Sequence, residues 1–171
     1  MNAYVSGAQK VIPAVLLYAF YEDKVLMIHA HGKDGMPAKW NGLGGKLDLG
    51  ESALAAAVRE FEEEAVCNTR REQWQWLGHL HFPNFKAQKK EDWWVTVFVT
   101  DLTKEQLATI PLSDSSLKEG ILELIPVSKV MDLDLWDGDR HFLPSVFARK
   151  AFQGTFFYQN GHCIHHEITS I

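Results

Sequence analysis

Apolar residues occur in short runs separated by polar turns, a pattern typical of a sheet-rich domain. The runs VIPAVLLYAF and VLMIHA flank the polar YEDK, so residues 11–30 predict two strands around a turn. Alternating segments WQWLGHLHF and DWWVTVFVTD, separated by PNFKAQKKE, predict two more strands, and ILELIPV predicts another. TFFYQNGHCIHHEI predicts a hairpin that turns at Asn160-Gly161, a dipeptide suited to positive φ.

Helical periodicity replaces alternation in ESALAAAVREFEEEAV, where Ser52 is a suitable N-cap. Its apolar residues at helical spacing form one narrow stripe: Leu54, Val58, Phe61 and Ala65. SVFARKAF, residues 145–152, predicts a further helix. Residues 31–50 contain six glycines and predict a loop. Strands and helices in this order indicate an α+β fold.

Length and composition indicate one domain over residues 1–171. The net charge of −5 argues against a protein that coats a nucleic-acid backbone, because such binding needs clustered positive charge. Cys67 and Cys163 lie far apart and indicate neither a disulfide framework nor a zinc knuckle. The start of the chain has no apolar stretch after a basic end, so we expect a cytoplasmic protein without a membrane partner.

The first predicted helix carries three carboxylates, Glu60, Glu63 and Glu64, within an arc of about 100°. They repel one another and lie toward the helix C-terminus, where the dipole disfavours negative charge. Two interpretations are open: a solvated acidic face, or hard oxygen ligands for Mg²⁺ or Mn²⁺. The glycine-rich loop before the helix favours metal binding, because glycines allow close approach to a phosphate chain.

The segment GKLDLGESALAAAVREFEEEAVC, residues 45–67, resembles the Nudix box. The positions that match in order and spacing are Gly45, Glu51, Arg59, Glu60, Phe61, Glu63 and Glu64. One position departs from the box, because Val66 stands where the family has a glycine that would end the helix. We expect this change to alter the geometry of the helix exit and to leave the chemistry intact.

The resemblance implies an α/β/α sandwich with a mixed β-sheet and a C-terminal hairpin, which hydrolyses a diphosphate linkage. It implies that Glu60, Glu63 and Glu64 hold Mg²⁺ or Mn²⁺, with a backbone carbonyl near Gly44. Glu51 and Arg59 would pair to brace the loop against the helix. The catalytic base would be one of three glutamates, Glu60, Glu63 or Glu119.

Outside the box, the chain resembles the MutT-type branch, which includes oxidised-purine nucleoside triphosphatases. Lys39-Trp40-Asn41-Gly42-Leu43-Gly44-Gly45-Lys46 is similar to that branch's entry to the box. Trp136-Asp137-Gly138-Asp139 is similar to its base-binding segment. The resemblance implies a substrate-binding set: Asn41, Lys46, Phe82, Trp136 and Asp139. Gly138 departs from the branch, which has a first acid there, so the preference for oxidised over ordinary purines is open.

These residues predict Mg²⁺-dependent hydrolysis of purine nucleoside triphosphates, such as 8-oxo-dGTP, to the monophosphate and pyrophosphate. The partner would be this small nucleotide, and we expect a monomer. The same chemistry on a nucleotide sugar, ADP-ribose or a dinucleoside polyphosphate is the alternative. A non-catalytic nucleotide-sensing domain is a third hypothesis, which the intact carboxylate cluster disfavours.

Overall fold

The computed structural model describes residues 10–32 and 37–171, and these residues form one mixed sheet with helices on both faces. The strands are β1 (Lys10–Tyr21), β2 (Lys24–Ala30), β3 (Trp40–Asn41), β4 (Leu43–Lys46), β5 (Gln75–Lys86), β6 (Glu91–Asp101), β7 (Gly120–Pro126), β8 (Phe152–Gln159) and β9 (His162–Ser170). The α-helices are α1 (Ala53–Ala65), α2 (Lys104–Thr109), α3 (Val127–Val130) and α4 (Asp139–Phe147). Short 3₁₀ turns span Arg71–Gln73 and Ala87–Lys89.

The strand order is β3-β2-β1-β6-β5-β8-β9, with β4 paired to β1 and β7 paired to β2. The β1–β6 and β5–β8 pairs are parallel and the other pairs are antiparallel, so the predicted mixed sheet is confirmed. Strand β1 is central because its register with β6 runs from Lys10 to Phe20, while its other edge pairs first with β4 and then with β2.

Each face of the sheet has its own apolar core. Helix α1 packs Phe61 and Ala65 against Leu17 and Leu43 on one face. On the other face, helix α4 buries Phe142 in a core that is shared with the last two strands and with β1. Two covered faces give the α/β/α sandwich that the sequence predicts. Among the described residues, no helix is both long and apolar enough to cross a bilayer.

The C-terminal hairpin is confirmed. Asn160 and Gly161 connect β8 to β9 with φ values of 51° and 80°, the positive pair that a tight two-residue turn requires. Ser52 caps helix α1 as predicted, since its Oγ accepts the Ala55 N–H at 3.1 Å.

The predicted helix over 145–152 is wrong in its bounds, because helix α4 begins at Asp139 and ends at Phe147. Pro144 lies inside the helix, although a proline is usually a sign of a helix start. Buried Phe142, Leu143 and Val146 hold this turn of chain to the sheet. Arg149, with φ 53°, ends the helical path before β8.

Two segments predicted to be irregular contain strand. The glycine-rich stretch 31–50 includes β3 and β4, and its residues 33–36 lie outside the described part of the chain. Strand β5 continues through residues 83–86, past its predicted end. Its pairing with β6 is irregular there, and the Asn84 N–H donates to the buried Asp92 carboxylate at 2.7 Å. That hydrogen bond gives a backbone donor its partner where the ladder is broken.

Val66 ends helix α1 in the left-handed conformation, with φ 54° and ψ 35°, and its N–H donates to the Glu62 carbonyl at 3.0 Å. The expectation of an altered helix exit is therefore wrong. The chain keeps the conformation that a glycine adopts easily, and places a β-branched residue in it. The side chain is 56% exposed, so packing does not compensate for the strain.

We expect Val66→Gly to raise the free energy of unfolding by about 1 kcal/mol, because glycine has no Cβ to strain in the left-handed region. Chemical denaturation would measure this as a higher midpoint at unchanged slope. Val66→Ala is the matched control, since it removes the branch and keeps the Cβ. A midpoint for Val66→Gly at or below that of Val66→Ala would contradict the strain.

Candidate active site

The glycines before helix α1 let the loop and the helix touch. Gly44 has φ 145°, and a Cβ there would overlap the Val15 carbonyl of β1. A Cβ on Gly45 would lie 2.5 Å from the Glu60 carboxylate. The carboxylates of the helix therefore rest directly on the backbone of β4, at a separation that side chains would prevent.

Arg59 joins the loop to the helix through three glutamates and a backbone carbonyl. Its Nε and Nη2 donate to the two Glu51 oxygens at 2.9 Å each, a bidentate pair. Its Nη1 donates to Glu60 at 2.8 Å and to Glu63 at 3.2 Å, while Nη2 also donates to the Lys46 carbonyl at 3.0 Å. The guanidinium therefore fixes both the loop and two of the helix carboxylates.

The contact between Arg59 and Glu51 shifts both pKa values so that the charged form of each side chain is favoured. Hydrogen bonds from Arg59 and from the Asp48 N–H lower the pKa of Glu51 to about 2. The hydrogen bond to Glu51 raises the pKa of Arg59 above its ordinary value. Both groups stay charged at neutral pH, consistent with the bracing role that the resemblance implies.

Glu60 and Glu64 are partly buried rather than part of a solvated acidic face. Burial raises the pKa of Glu64 to about 8, although its carboxylate accepts the Gly44 N–H at 2.9 Å. The neighbouring charges of Glu60, Glu119 and Glu63 contribute to this raised pKa. Burial also raises the pKa of Glu60, against the opposing effect of Arg59. A nearby cation would favour the ionised form of both carboxylates.

Glu63 and Glu119 are the more exposed carboxylates of this group. The side chain of Glu63 is 59% exposed and contacts Arg59 at 3.2 Å. Glu119 lies just before β7, is 41% exposed, and is close enough for its charge to raise the pKa of Glu64. The fold therefore brings Glu119 to the helix carboxylates across 55 residues of sequence.

The donor chemistry suits a hard divalent ion, because carboxylate and carbonyl oxygens are the ligands that Mg²⁺ and Mn²⁺ prefer. In the described residues, however, no three His, Cys, Asp or Glu side chains are grouped so that they could hold one ion. The carboxylates point to protein donors instead: Glu60 and Glu63 to Arg59, and Glu64 to the Gly44 N–H. Rotation of the exposed Glu63 away from Arg59 would free its carboxylate for an ion.

A cavity of about 220 Å³ is lined by Gly44 and Gly45, by residues of the sheet, and by Asp139 at the start of helix α4. Its lining includes four of the five predicted substrate-binding residues: Asn41, Phe82, Trp136 and Asp139. The fifth, Lys46, is not among the lining residues, and its Nζ lies 5.3 Å from the ring centre of Trp93. Apolar walls with a few polar groups are typical of a site for a flat ring.

Asp139 is the buried acid of this cavity. Burial raises its pKa to about 8, and Arg140 opposes this only in part. Among the described residues, its Oδ2 has no hydrogen-bond partner, and the same holds for the hydroxyl of the fully buried Tyr18. Asn41 lies nearer the glycine loop, where its Oδ1 accepts the Gly42 N–H at 2.9 Å. Its amide NH₂ is then the part available to a ligand.

Three further aromatic residues line the cavity and are absent from the predicted set: Phe85, Trp93 and Tyr158. Trp93 and Trp94 point to opposite faces of β6, as strand alternation predicts, and Trp94 stacks on His81 instead. Tyr158 follows Phe156 at the strand spacing of two, which places both rings on the face of helix α4. That alternation was the available signal for Tyr158.

We expect Glu51→Gln to lower the free energy of unfolding at pH 7, because it removes the charged pairing with Arg59. The loss should be only about 1 to 2 kcal/mol, since solvent screens part of that pairing. The folded pKa of about 2 lies below the ordinary 4.5, so this stabilisation is complete above pH 4.5 and lost as the pH falls toward 2. Denaturation from pH 7 to 2 should show the difference shrinking. Glu62→Gln, an exposed neighbour on the same helix, is the control; an equal loss there would contradict the pairing.

Asp139 should make stability fall as the pH rises. Between the ordinary pKa of 3.8 and about 8, the folded chain keeps the Asp139 proton and the unfolded chain releases it. The free energy of unfolding therefore falls as the pH rises through this range. Asp139→Asn removes the titration. The free energy of unfolding of this variant, relative to the wild type, should rise by at least about 1 kcal/mol from pH 4 to 8. A constant difference across that range would show that Asp139 ionises normally.

Comparisons with known proteins identify the family and support the fold. Residues 10–146 match the NUDIX domain family. The oxidized purine nucleoside triphosphate hydrolase of Mus musculus is 26% identical over 122 residues, which are 71% of each chain. The MutT protein of Bacillus halodurans has a similar structure, with a TM-score of 0.76 and 22% identity over 92% of this chain and 97% of that one.

A second solved structure, the NUDIX domain of Shewanella oneidensis NrtR complexed with ADP ribose, has a TM-score of 0.56 and 16% identity, and covers 84% of this chain and 88% of that one. At these identities the two structures support the fold. Nudix hydrolases generally use divalent metal ions, and the family binds small nucleotides. Since the matched residues 10–146 make up most of the chain, this protein belongs to the Nudix hydrolase family.

Proposed function

We propose that this protein hydrolyses purine nucleoside triphosphates to the monophosphate and pyrophosphate with the help of Mg²⁺ or Mn²⁺. The observation that carries the proposal is one continuous cavity. Its lining brings together Gly44 and Gly45, which touch the helix carboxylates, with Trp136 and Asp139. A nucleotide bound along it would have its phosphates at the carboxylates and its base beside the tryptophan.

In this proposal, Glu60, Glu63 and Glu64 hold the metal together with the Gly44 carbonyl. The ion, when bound there, would neutralise phosphate charge and orient a water molecule. Arg59 keeps Glu60 in place and, through Glu51, holds the loop that carries Gly44. A chain with a net charge of −5 binds an anionic substrate in this scheme because the cation reverses the local sign.

Two residues are candidates for the group that takes a proton from the attacking water. Glu63 is mostly exposed, and its contact with Arg59 is long at 3.2 Å, so its side chain can turn toward a substrate. Glu119 is half-exposed and faces the same carboxylates from the start of β7. A general base must reach the water within hydrogen-bond distance, and the exposure of both side chains leaves them accessible to solvent.

Base recognition in this proposal uses the opposite end of the cavity. Trp136 offers a flat ring for stacking, and Phe82 faces the same space. Asn41 and Asp139 provide the polar atoms that distinguish one base from another. Recognition of a purine through these groups is also what the mouse relative's name suggests for this chain.

The test is release of pyrophosphate and phosphate with Mg²⁺ from a panel of dGTP, 8-oxo-dGTP, dATP, dCTP, ADP-ribose and a nucleotide sugar. We expect kcat/KM for purine triphosphates to exceed that for the sugar-linked diphosphates by at least about tenfold, and EDTA to abolish turnover. Cleavage of the sugar-linked compounds alone would replace our substrate assignment. Binding without any turnover would favour a sensing domain.

Single substitutions identify the metal-binding carboxylates. Glu60→Gln, Glu63→Gln and Glu64→Gln should each lower kcat by about 10²-fold or more, because each removes a charged ligand. Glu62→Gln, on the exposed side of the same helix, should keep wild-type turnover. Similar losses in all four variants would mean that the substitutions disrupt the helix rather than a metal site.

Asn41→Ala should weaken turnover of purine triphosphates and spare any substrate recognised through its second group.

A further inference from the structure

Gly138 has ordinary backbone angles, φ −65° and ψ −31°, so its conformation does not require glycine. Its surroundings exclude a side chain. A Cβ at this position would lie 2.7 Å from the Tyr158 hydroxyl and 3.0 Å from Cδ1 of Phe156. The Tyr158 hydroxyl therefore occupies the space that a side chain at position 138 would take.

That hydroxyl is held in place. The Gly138 N–H donates to it at 2.8 Å. The Tyr158 ring packs against Phe82, Phe85 and Trp136, with centroid distances of 6.1, 5.6 and 6.5 Å. It lines the same cavity as Asp139, whose charge is near enough to raise the pKa of the phenol. The phenol and the buried carboxyl thus form one polar end of the cavity.

The direction of the hydrogen bond decides what Tyr158 can offer. Its oxygen accepts the Gly138 N–H, and the structure gives its proton no acceptor among the described residues. A phenol has one proton to donate, and the raised pKa keeps that proton in place at neutral pH. An ionised carboxylate at position 138 could only accept.

We infer that Tyr158 is a specificity-determining residue that donates its phenolic proton to the 6-oxo group of a guanine-type base, beside Asp139. The inference rests on the proposed function for the orientation of the nucleotide. A guanine edge presents N2–H and N1–H donors next to the O6 acceptor. Asp139, ionised once it accepts those two N–H groups, and the phenolic O–H of Tyr158 complement that order. An adenine edge, with one amino group and one acceptor, uses only part of it.

The experiment measures binding of nucleoside monophosphates by calorimetry, with dGMP and 6-thio-dGMP as the probes. These ligands share both N–H groups and differ at the acceptor, because sulfur accepts hydrogen bonds weakly. We expect the wild type to prefer dGMP by about fivefold, and Tyr158→Phe to weaken dGMP about fivefold while leaving 6-thio-dGMP unchanged. Tyr21→Phe, at the far end of β1, is the matched control and should keep the preference.

Equal weakening of both ligands in Tyr158→Phe would mean a structural role for the phenol and would overturn the inference, as would unchanged binding of both. A second variant guards against disturbance of the unpaired Gly138 N–H. Tyr158→Phe combined with Gly138→Asp fills the vacated space with an acceptor, and it should bind both probes with similar affinity. A retained fivefold preference there would also overturn the inference.

The same proteins separate this inference from the proposed function. A wild type that binds dGMP with the expected preference but releases no pyrophosphate from dGTP and Mg²⁺ would remove the proposed function and leave the role of Tyr158 standing. A wild type that turns over dGTP while Tyr158→Phe keeps the same preference would remove the inference alone.

Discussion

The Arg59 guanidinium is the contact on which the rest of the site depends. It is anchored by a bidentate pair with Glu51 and reaches the Glu60 carboxylate and the Lys46 carbonyl from the same planar group. A lysine has neither the planar fork nor enough fixed donors to do this. Because one residue joins the loop to the helix, the glycine backbone and the acidic side chains keep a fixed separation.

The two ends of the cavity follow opposite physical rules. At the Gly44 end, partly buried carboxylates repel one another, and their raised pKa values reflect an environment that a cation would improve. Around Asp139, apolar rings enclose an acid and a phenol, so the polar atoms there lie in surroundings of low polarity. Charge therefore dominates around Gly44, and a few polar atoms among apolar rings characterise the surroundings of Asp139.

The hairpin and the first helix could be predicted from local patterns, a turn dipeptide at Asn160-Gly161 and an apolar stripe capped by Ser52, whereas the sandwich was implied by the resemblance to the Nudix family. Prediction failed where the local signal and the packing disagreed. Pro144 lies within α4 because buried neighbours hold it there, and Val66 takes a glycine conformation. Four predicted base-binding residues line one cavity, while their roles remain predictions. The contact between Gly138 and Tyr158 could not be predicted from the sequence, since it joins residues 20 positions apart and depends on the closed hairpin.

The cavity is assembled from unequal stretches of chain. Gly44 and Gly45 belong to β4, the neighbour of α1 in sequence, whereas the lining aromatic residues come from β5, β6, the segment before α4 and the terminal hairpin. Drift in the hairpin or in that segment therefore reshapes ligand choice without disturbing the carboxylate helix. Proteins that share this division can therefore differ in substrate while they keep the same hydrolytic residues.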